Sequence, residues 1–242
     1  MAMLAIDGLS KTYKGGKKAV SDLSLSVEAG DIYGFIGRNG AGKTTTIKCV
    51  VGIMDFESGD ILIDGHSVKK EPEKCKSMLA YIPDNPDLYE HLTGIQYIDF
   101  IADVFGVAGE TRTQLTGKYS QRFGMMGALG DLISSYSHGM KQKLAIISAL
   151  VHSPKLMILD EPFVGLDPEA SLVLKEIMRE LCAEGGAIFF STHVLEVAEK
   201  LCNKIAIISD GRIVDSGTTQ ELTHGKPLED VFMEVVGHVE ED

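Results

Sequence analysis

Gly37-Arg38-Asn39-Gly40-Ala41-Gly42-Lys43-Thr44 meets the spacing G-x-x-x-x-G-K-[ST] without a mismatch. Its glycines let successive backbone N–H groups turn inward as an anion-binding nest. The apolar run Ile32-Tyr33-Gly34-Phe35-Ile36 enters it, and a helical pattern leaves it from residue 43 to about residue 52. A helix starting there adds the positive end of its dipole. Lys43 then reaches the β- and γ-phosphates of a nucleoside triphosphate, while the Thr44 hydroxyl ligates Mg²⁺. Arg38, Asn39, Gly40, Ala41, Gly42 and Thr45 are the expected remaining contacts of this phosphate loop.

Outward from the loop, strands and helices alternate. Short strands are expected at 4–9 and 19–27, joined by Lys14-Gly15-Gly16-Lys17, and at 61–63 before Asp64-Gly65. Residues 84–135 turn mainly helical, with Tyr97, Ile98, Ile101, Val104 and Phe105 on one apolar face. Helices at 138–152, 168–184 and 195–201 then alternate with strands at 156–159, 187–191 and 205–209. That alternation predicts an α/β fold with a parallel sheet covered on both faces. Ligand chemistry gathers at strand C-termini in such sheets, which puts Asp160, ending Leu156-Met157-Ile158-Leu159, near the Mg²⁺ held by Thr44. Glu161, one residue on, is expected to point elsewhere and to accept a proton from attacking water. His193 follows a second apolar strand, placed to hydrogen-bond a γ-phosphate.

The 242 residues carry 44% hydrophobic and 24% charged side chains, ordinary for a globular domain. No apolar run approaches the roughly 18 residues that span a bilayer, and no secretory signal is evident at the start. Cys49, Cys75, Cys182 and Cys202 have no metal-like spacing and read as reduced thiols of an intracellular protein. The net charge of −12 argues against nucleic acid as a partner. It is unevenly spread, because residues 1–48 hold seven Lys/Arg against four Asp/Glu, while 229–242 hold six acids and no Lys or Arg. A polyanion such as ATP therefore suits the N-terminal part.

Ser137-His138-Gly139-Met140-Lys141-Gln142 opens a helix ahead of the Asp160 strand. Together with the phosphate loop and the Asp-Glu strand, it resembles the signature of ABC-type ATPases, and the resemblance covers almost the whole chain. Gly37–Thr44 resembles Walker A, Leu156–Glu161 Walker B, Gly165-Leu166-Asp167-Pro168 the D-loop and His193 the switch histidine. Tyr13, 30 residues before Lys43, is similar to the aromatic that stacks on adenine. Two positions depart from the pattern. His138 stands where the family has the first signature glycine, and Asp84 follows Pro83 where the family commonly has glutamine.

The resemblance implies a P-loop NTPase core with a mostly parallel sheet, an N-terminal antiparallel β subdomain and a helical subdomain insertion. Residues 1–83 and 136–225 would form the nucleotide-binding core, 84–135 the helical subdomain and 226–242 an acidic C-terminal helix or tail. It implies ATP and Mg²⁺ as ligands, with Lys43, Glu161, His193 and Asp84 catalytic and Thr44, Asp160 and Asp84 near the metal. It further implies head-to-tail pairing with a second nucleotide-binding domain, a homodimer, in which Ser137 and Gly139 contact the ATP held by the other copy. The expected activity is ATP hydrolysis driving a separate integral membrane permease, from the cytoplasmic side of the membrane as a peripheral subunit, with Asp84 leaning toward export. A soluble ABC-type ATPase acting on ribosomes or DNA fits less well, since there is one phosphate loop, no heptad run and an acidic total. A P-loop kinase or GTPase would leave the 137–142 stretch unexplained.

Overall fold

A computed structural model describes residues 2–239; Glu240, Glu241 and Asp242, three of the six acids in residues 229–242, lie outside the described residues. β1 (Ala2–Thr12) and β2 (Lys18–Glu28) form an antiparallel hairpin, closed by Tyr13 N–H donating to the Lys17 carbonyl at 2.9 Å. Alternation sets its buried side: Val20, Leu23, Leu25 and Val27 are covered, while Ser24 and Ser26 face outward. β3 (Ile32–Ile36) is buried throughout and runs into the phosphate loop, from which α1 (Lys43–Val50) departs. β4 (Ser58–Ile63) and the two-residue β5 (His66–Ser67) complete a four-stranded antiparallel sheet in the order β2-β1-β4-β5.

α2 (Pro72–Met78) abuts β6 (Leu79–Ile82); neither was separated in the sequence, because a four-residue strand fused to a helix shows no period of its own. The helical stretch contains α3 (Gly94–Val104) and α4 (Gly109–Arg122). α3 starts in a capping box between Thr93 and Gln96 and packs on α5 (His138–Leu150). Of the expected apolar face, Ile98 is buried with Gly94 and Ala102, and Tyr97, Ile101 and Phe105 are partly buried; only Val104 departs from it, at 64% exposed. Arg122 at the end of α4 pairs with Glu176 and Glu180 of α6 (Pro168–Ala183), which fastens these helices to the rest.

β7 (Leu156–Asp160), β8 (Ala187–Thr192), α7 (Leu195–Leu201), β9 (Lys204–Ser209), β10 (Arg212–Thr218), α8 (Thr219–Thr223) and α9 (Leu228–Val239) follow. The second sheet runs β10-β9-β3-β8-β7-β6, parallel except for the antiparallel edge β10. Its two faces build two cores. Ile32, Ile36, Met157, Leu159, Ile188 and Phe190 join the residues of α5, α6 and α7. Tyr33, Phe35, Leu156, Ile158 and Phe189 join those of α1 and the antiparallel sheet. Strand alternation thus places this sheet between two apolar layers. The architecture is mixed α/β, as the alternation of elements predicts.

Candidate active site

The C-terminal ends of β3, β7 and β8 meet beside the start of α1. A cleft of about 280 Å³ there is lined by Tyr13, Lys17, Asn39, Gly40, Gly42, Lys43, Thr44, Thr45, Asp84, Asp160 and Glu161. Larger cavities lie elsewhere, but the motif residues converge on this one.

The loop's shape depends on two glycines. Gly42 has φ +111, and a Cβ there would lie 2.6 Å from the Ala19 carbonyl oxygen; a Cβ on Gly37 would lie 2.5 Å from that of Ile208. Both clashes are with backbone, so the loop is pressed against β2 and β9 and cannot yield. Lys43 is buried, and its Nζ donates to the Gly37 carbonyl at 2.6 Å and the Arg38 carbonyl at 3.3 Å. Nζ lies 3.7 Å from Glu161 Oε1. Burial pulls the Lys43 pKa down from its usual value, and the Glu161 and Asp160 carboxylates oppose that shift. The loop therefore carries a cation shielded from water and held by the loop's own carbonyls, suited to a phosphate oxygen.

Asp160 is almost wholly buried. Ser191 Oγ donates to its Oδ1, and Oδ2 has no hydrogen-bond partner. An orphaned buried carboxylate oxygen on a cleft wall is what a cation would satisfy. Among the described residues no three His, Cys, Asp or Glu side chains gather to hold a metal unaided. That fits Mg²⁺, which takes one or two carboxylates and completes its shell with water and substrate phosphate. Thr44, exposed on the first turn of α1, and Asp84, whose Oδ1 accepts from Asn85 N–H at 2.9 Å, line the same cleft.

Glu161 does not point elsewhere. Its φ of +49 folds the chain back at the end of β7, so its side chain enters the cleft beside Asp160. Glu161 Oε1 lies 3.0 Å from His193 Nδ1, and Oε2 accepts from His193 N–H at 3.4 Å. His193 is half exposed and reaches the cleft only through Glu161, not lining it itself, whereas Tyr13 lines it with its hydroxyl 2.9 Å from Thr45 Oγ1. Arg38 is exposed and Ala41 buried in the loop.

Ser137 and Gly139 are not brought to this cleft. Ser137 is exposed and caps α5, its Oγ accepting from Met140 N–H at 3.3 Å. The α5 N-terminus instead packs on the segment after Glu161. A Cβ on Gly165 would meet the His138 ring at 2.4 Å, and Lys143 Nζ lies 2.6 Å from Asp167 Oδ2. Sequence reasoning passed over Lys17, a cleft residue, and Ser191. The signal available for Ser191 was two hydroxyl residues, Ser191 and Thr192, ending an otherwise apolar strand just before His193.

A family model described as ABC transporter matches residues 20–164, more than half of the chain. The chain belongs to the ABC transporter family, as an ATP-binding subunit. A second model, described as an AAA domain and putative AbiEii toxin of a type IV toxin–antitoxin system, matches only residues 131–199. The ABC-type transporter ATP-binding protein EcsA of Bacillus subtilis is 35% identical over 240 residues, which cover 97% of each protein. A solved ATP-binding subunit of an ABC transporter is 34% identical, with a TM-score of 0.93 over 97% of this chain and 99% of that one. The cbiO1 protein of Clostridium perfringens, part of the ABC transporter complex cbiONQ, is 25% identical, with a TM-score of 0.80 over 100% of this chain and 99% of that one. This ABC ATPase has the P-loop fold of those neighbours, and no helix among its described residues is long and apolar enough to cross a membrane.

Proposed function

We propose that two copies of this ABC subunit close head to tail around two Mg-ATP, hydrolyse them and thereby drive a separate integral membrane permease. One observation carries the reading. Lys43, Thr44, Asp160 and Glu161 share one cleft, whereas Ser137 and Gly139, the other expected phosphate ligands, stand outside it on an exposed helix start. Ligands split in this way need a second copy, and two-fold pairing would give two composite sites.

Within each site the roles follow from the contacts. Lys43 exchanges its carbonyl partners for β- and γ-phosphate oxygens, with the loop amides and the α1 N-terminus around them. Tyr13, on the cleft lining, stacks on adenine. Thr44 and Asp160, with Asp84 beside them, would hold Mg²⁺, which would supply positive charge against the phosphate oxygens. Glu161 accepts a proton from the water that attacks the γ-phosphorus; the bond to the bridging oxygen breaks, and ADP and phosphate leave. His193, 3.0 Å from Glu161 Oε1, fixes the direction of that carboxylate and reaches toward the γ-phosphate. The γ-phosphate joins the two copies while intact, so its loss releases them.

Residues 84–135 supply the permease-facing surface in this reading. Tyr89, Phe100 and Val104 form an exposed apolar ledge, with the Tyr89 ring edge-on to Tyr97 and Phe100 at 6.1 and 5.5 Å. Behind it lies a mostly apolar cavity of about 330 Å³ lined by Leu79, Tyr81, Leu88, Tyr97 and Ile101. Exposed aromatic ledges of this kind mark partner surfaces. The loop from Asp84 to Glu90 links the nucleotide cleft to this ledge, and Glu90 pairs with Lys141 near the Ser137 end of α5. Nucleotide state and permease contact thus share a short, directly bonded path. We assign export as the direction, on the aspartate at position 84, and a peripheral position on the cytoplasmic face. The membership of the cbiO1 neighbour in a transporter complex supports permease pairing.

Glu161→Gln removes the proton acceptor but keeps the shape, so this variant is expected to bind Mg-ATP, hydrolyse it at least about 100-fold more slowly and elute as a dimer. A monomer in light scattering at saturating Mg-ATP would contradict the sandwich.

A further inference from the structure

Ser191 sits at the C-terminal end of β8, fully buried, directly across from Asp160 in the parallel register. Its hydroxyl makes two bonds at once. It donates to Asp160 Oδ1, and it accepts the backbone N–H of Glu161 at 3.1 Å. The same N–H also reaches the Ser191 carbonyl at 3.2 Å. The directions are forced: a carboxylate oxygen accepts and an amide N–H donates, so the single hydroxyl proton points to Asp160 and a lone pair points to Glu161.

Two features of the cleft depend on this hydroxyl. With Oδ1 occupied, Oδ2 is the one oxygen of Asp160 left without a partner, so the carboxylate presents a single defined edge to the cleft. Glu161 adopts φ +49, a conformation unfavourable for a residue with a Cβ, and it does so with its N–H anchored twice to Ser191. That backbone turn delivers the Glu161 carboxylate to within 3.7 Å of Lys43 Nζ and 3.0 Å of His193 Nδ1.

The geometry points to Ser191 as a positioning residue that, through one hydroxyl, aims both the cation-facing oxygen of Asp160 and the proton-accepting carboxylate of Glu161. Ser191 is fully buried and does not line the cleft, so it acts through its two neighbours. This rests on the roles given above to Asp160 and Glu161. Partners of metal-ligating carboxylates typically change metal affinity or activity by about 10–100-fold when removed.

The test uses the full chain as Ser191→Ala, Ser191→Cys and Asp160→Asn. Mn²⁺ binding with a non-hydrolysable ATP analogue is read by electron paramagnetic resonance, beside kcat, KM for Mg-ATP and Tm. Ser191→Ala is expected to weaken Mn²⁺ about tenfold and to lower kcat about tenfold or more, with KM for ATP held within about twofold. Ser191→Cys, which keeps the shape with a weaker donor, is expected to fall between Ala and wild type, and it decides by the same criteria if the alanine variant does not fold. A lowered Tm with unchanged Mn²⁺ affinity and unchanged kcat per folded molecule would overturn the inference, leaving Ser191 structural only. Asp160→Asn separates the levels. If it weakens Mn²⁺ while the Ser191 variants do not, only the Ser191 inference falls; if it leaves Mn²⁺ binding intact, the cation assignment falls with it.

Discussion

His152 makes the joint between the helical segment and the parallel sheet pH-sensitive. Its ring stacks on Phe105 at 3.8 Å and 5°, its Nδ1 is buried without a partner, and both rings line the cavity beneath the exposed apolar ledge. Burial lowers its pKa from the usual 6.5 to about 4. The unfolded chain therefore binds a proton there below about pH 6.5 while the folded chain stays neutral until about pH 4, so stability falls as pH drops through that window. For those two values, going from about pH 7 to about pH 5 costs about 2 kcal/mol at this one residue. His152→Phe keeps an aromatic ring against Phe105 and removes the titration. Urea unfolding of both proteins at the two pH values isolates the contribution, because all other groups cancel in the difference. The stability of wild type relative to His152→Phe is expected to fall by about 2 kcal/mol at the lower pH. Parallel pH profiles, differing by less than about 0.5 kcal/mol, would refute the claim that burial keeps His152 neutral.

Lys43→Ala removes a buried side-chain cation bonded to the phosphate loop's own carbonyls, and calorimetry is expected to show ATP affinity reduced roughly 10–100-fold; unchanged affinity would contradict its assigned contact. Tyr13→Ala is expected to weaken ATP by about 1–3 kcal/mol, the range for base stacking, while leaving inorganic tripolyphosphate binding unaltered. Equal loss for both ligands would instead assign Tyr13 to holding Thr45 through its hydroxyl.

What was legible in the sequence was whatever has a strong local pattern. The phosphate loop, β7 with its terminal carboxylates, and α7 lie where spacing and apolar runs put them, because both sheet faces are buried and the loop tolerates little variation. β6 was missed because four residues joined to α2 carry no period, and β10 because an edge strand of half-buried residues lacks clear alternation. The return of Glu161 into the cleft was illegible for a different reason. It depends on a left-handed backbone that glutamate does not favour and that β8, 30 residues downstream, holds in place. Likewise, the packing of His138 on Gly165 arises only once the fold brings two distant loops together. Local pattern gives the parts of such a site, and long-range backbone bonds aim them.

The central claim is that each site takes Lys43 from one copy and Ser137 from the other. Lys43→Ala and Ser137→Ala, each expected to be inactive alone, can be mixed and assayed for ATP hydrolysis. Random pairing gives mixed dimers in which one composite site has both residues intact, so the mixture is expected to regain up to roughly a quarter of wild-type activity. If both residues serve the same chain's site, no mixture contains an intact one, and activity that stays at the level of the single variants would contradict the account.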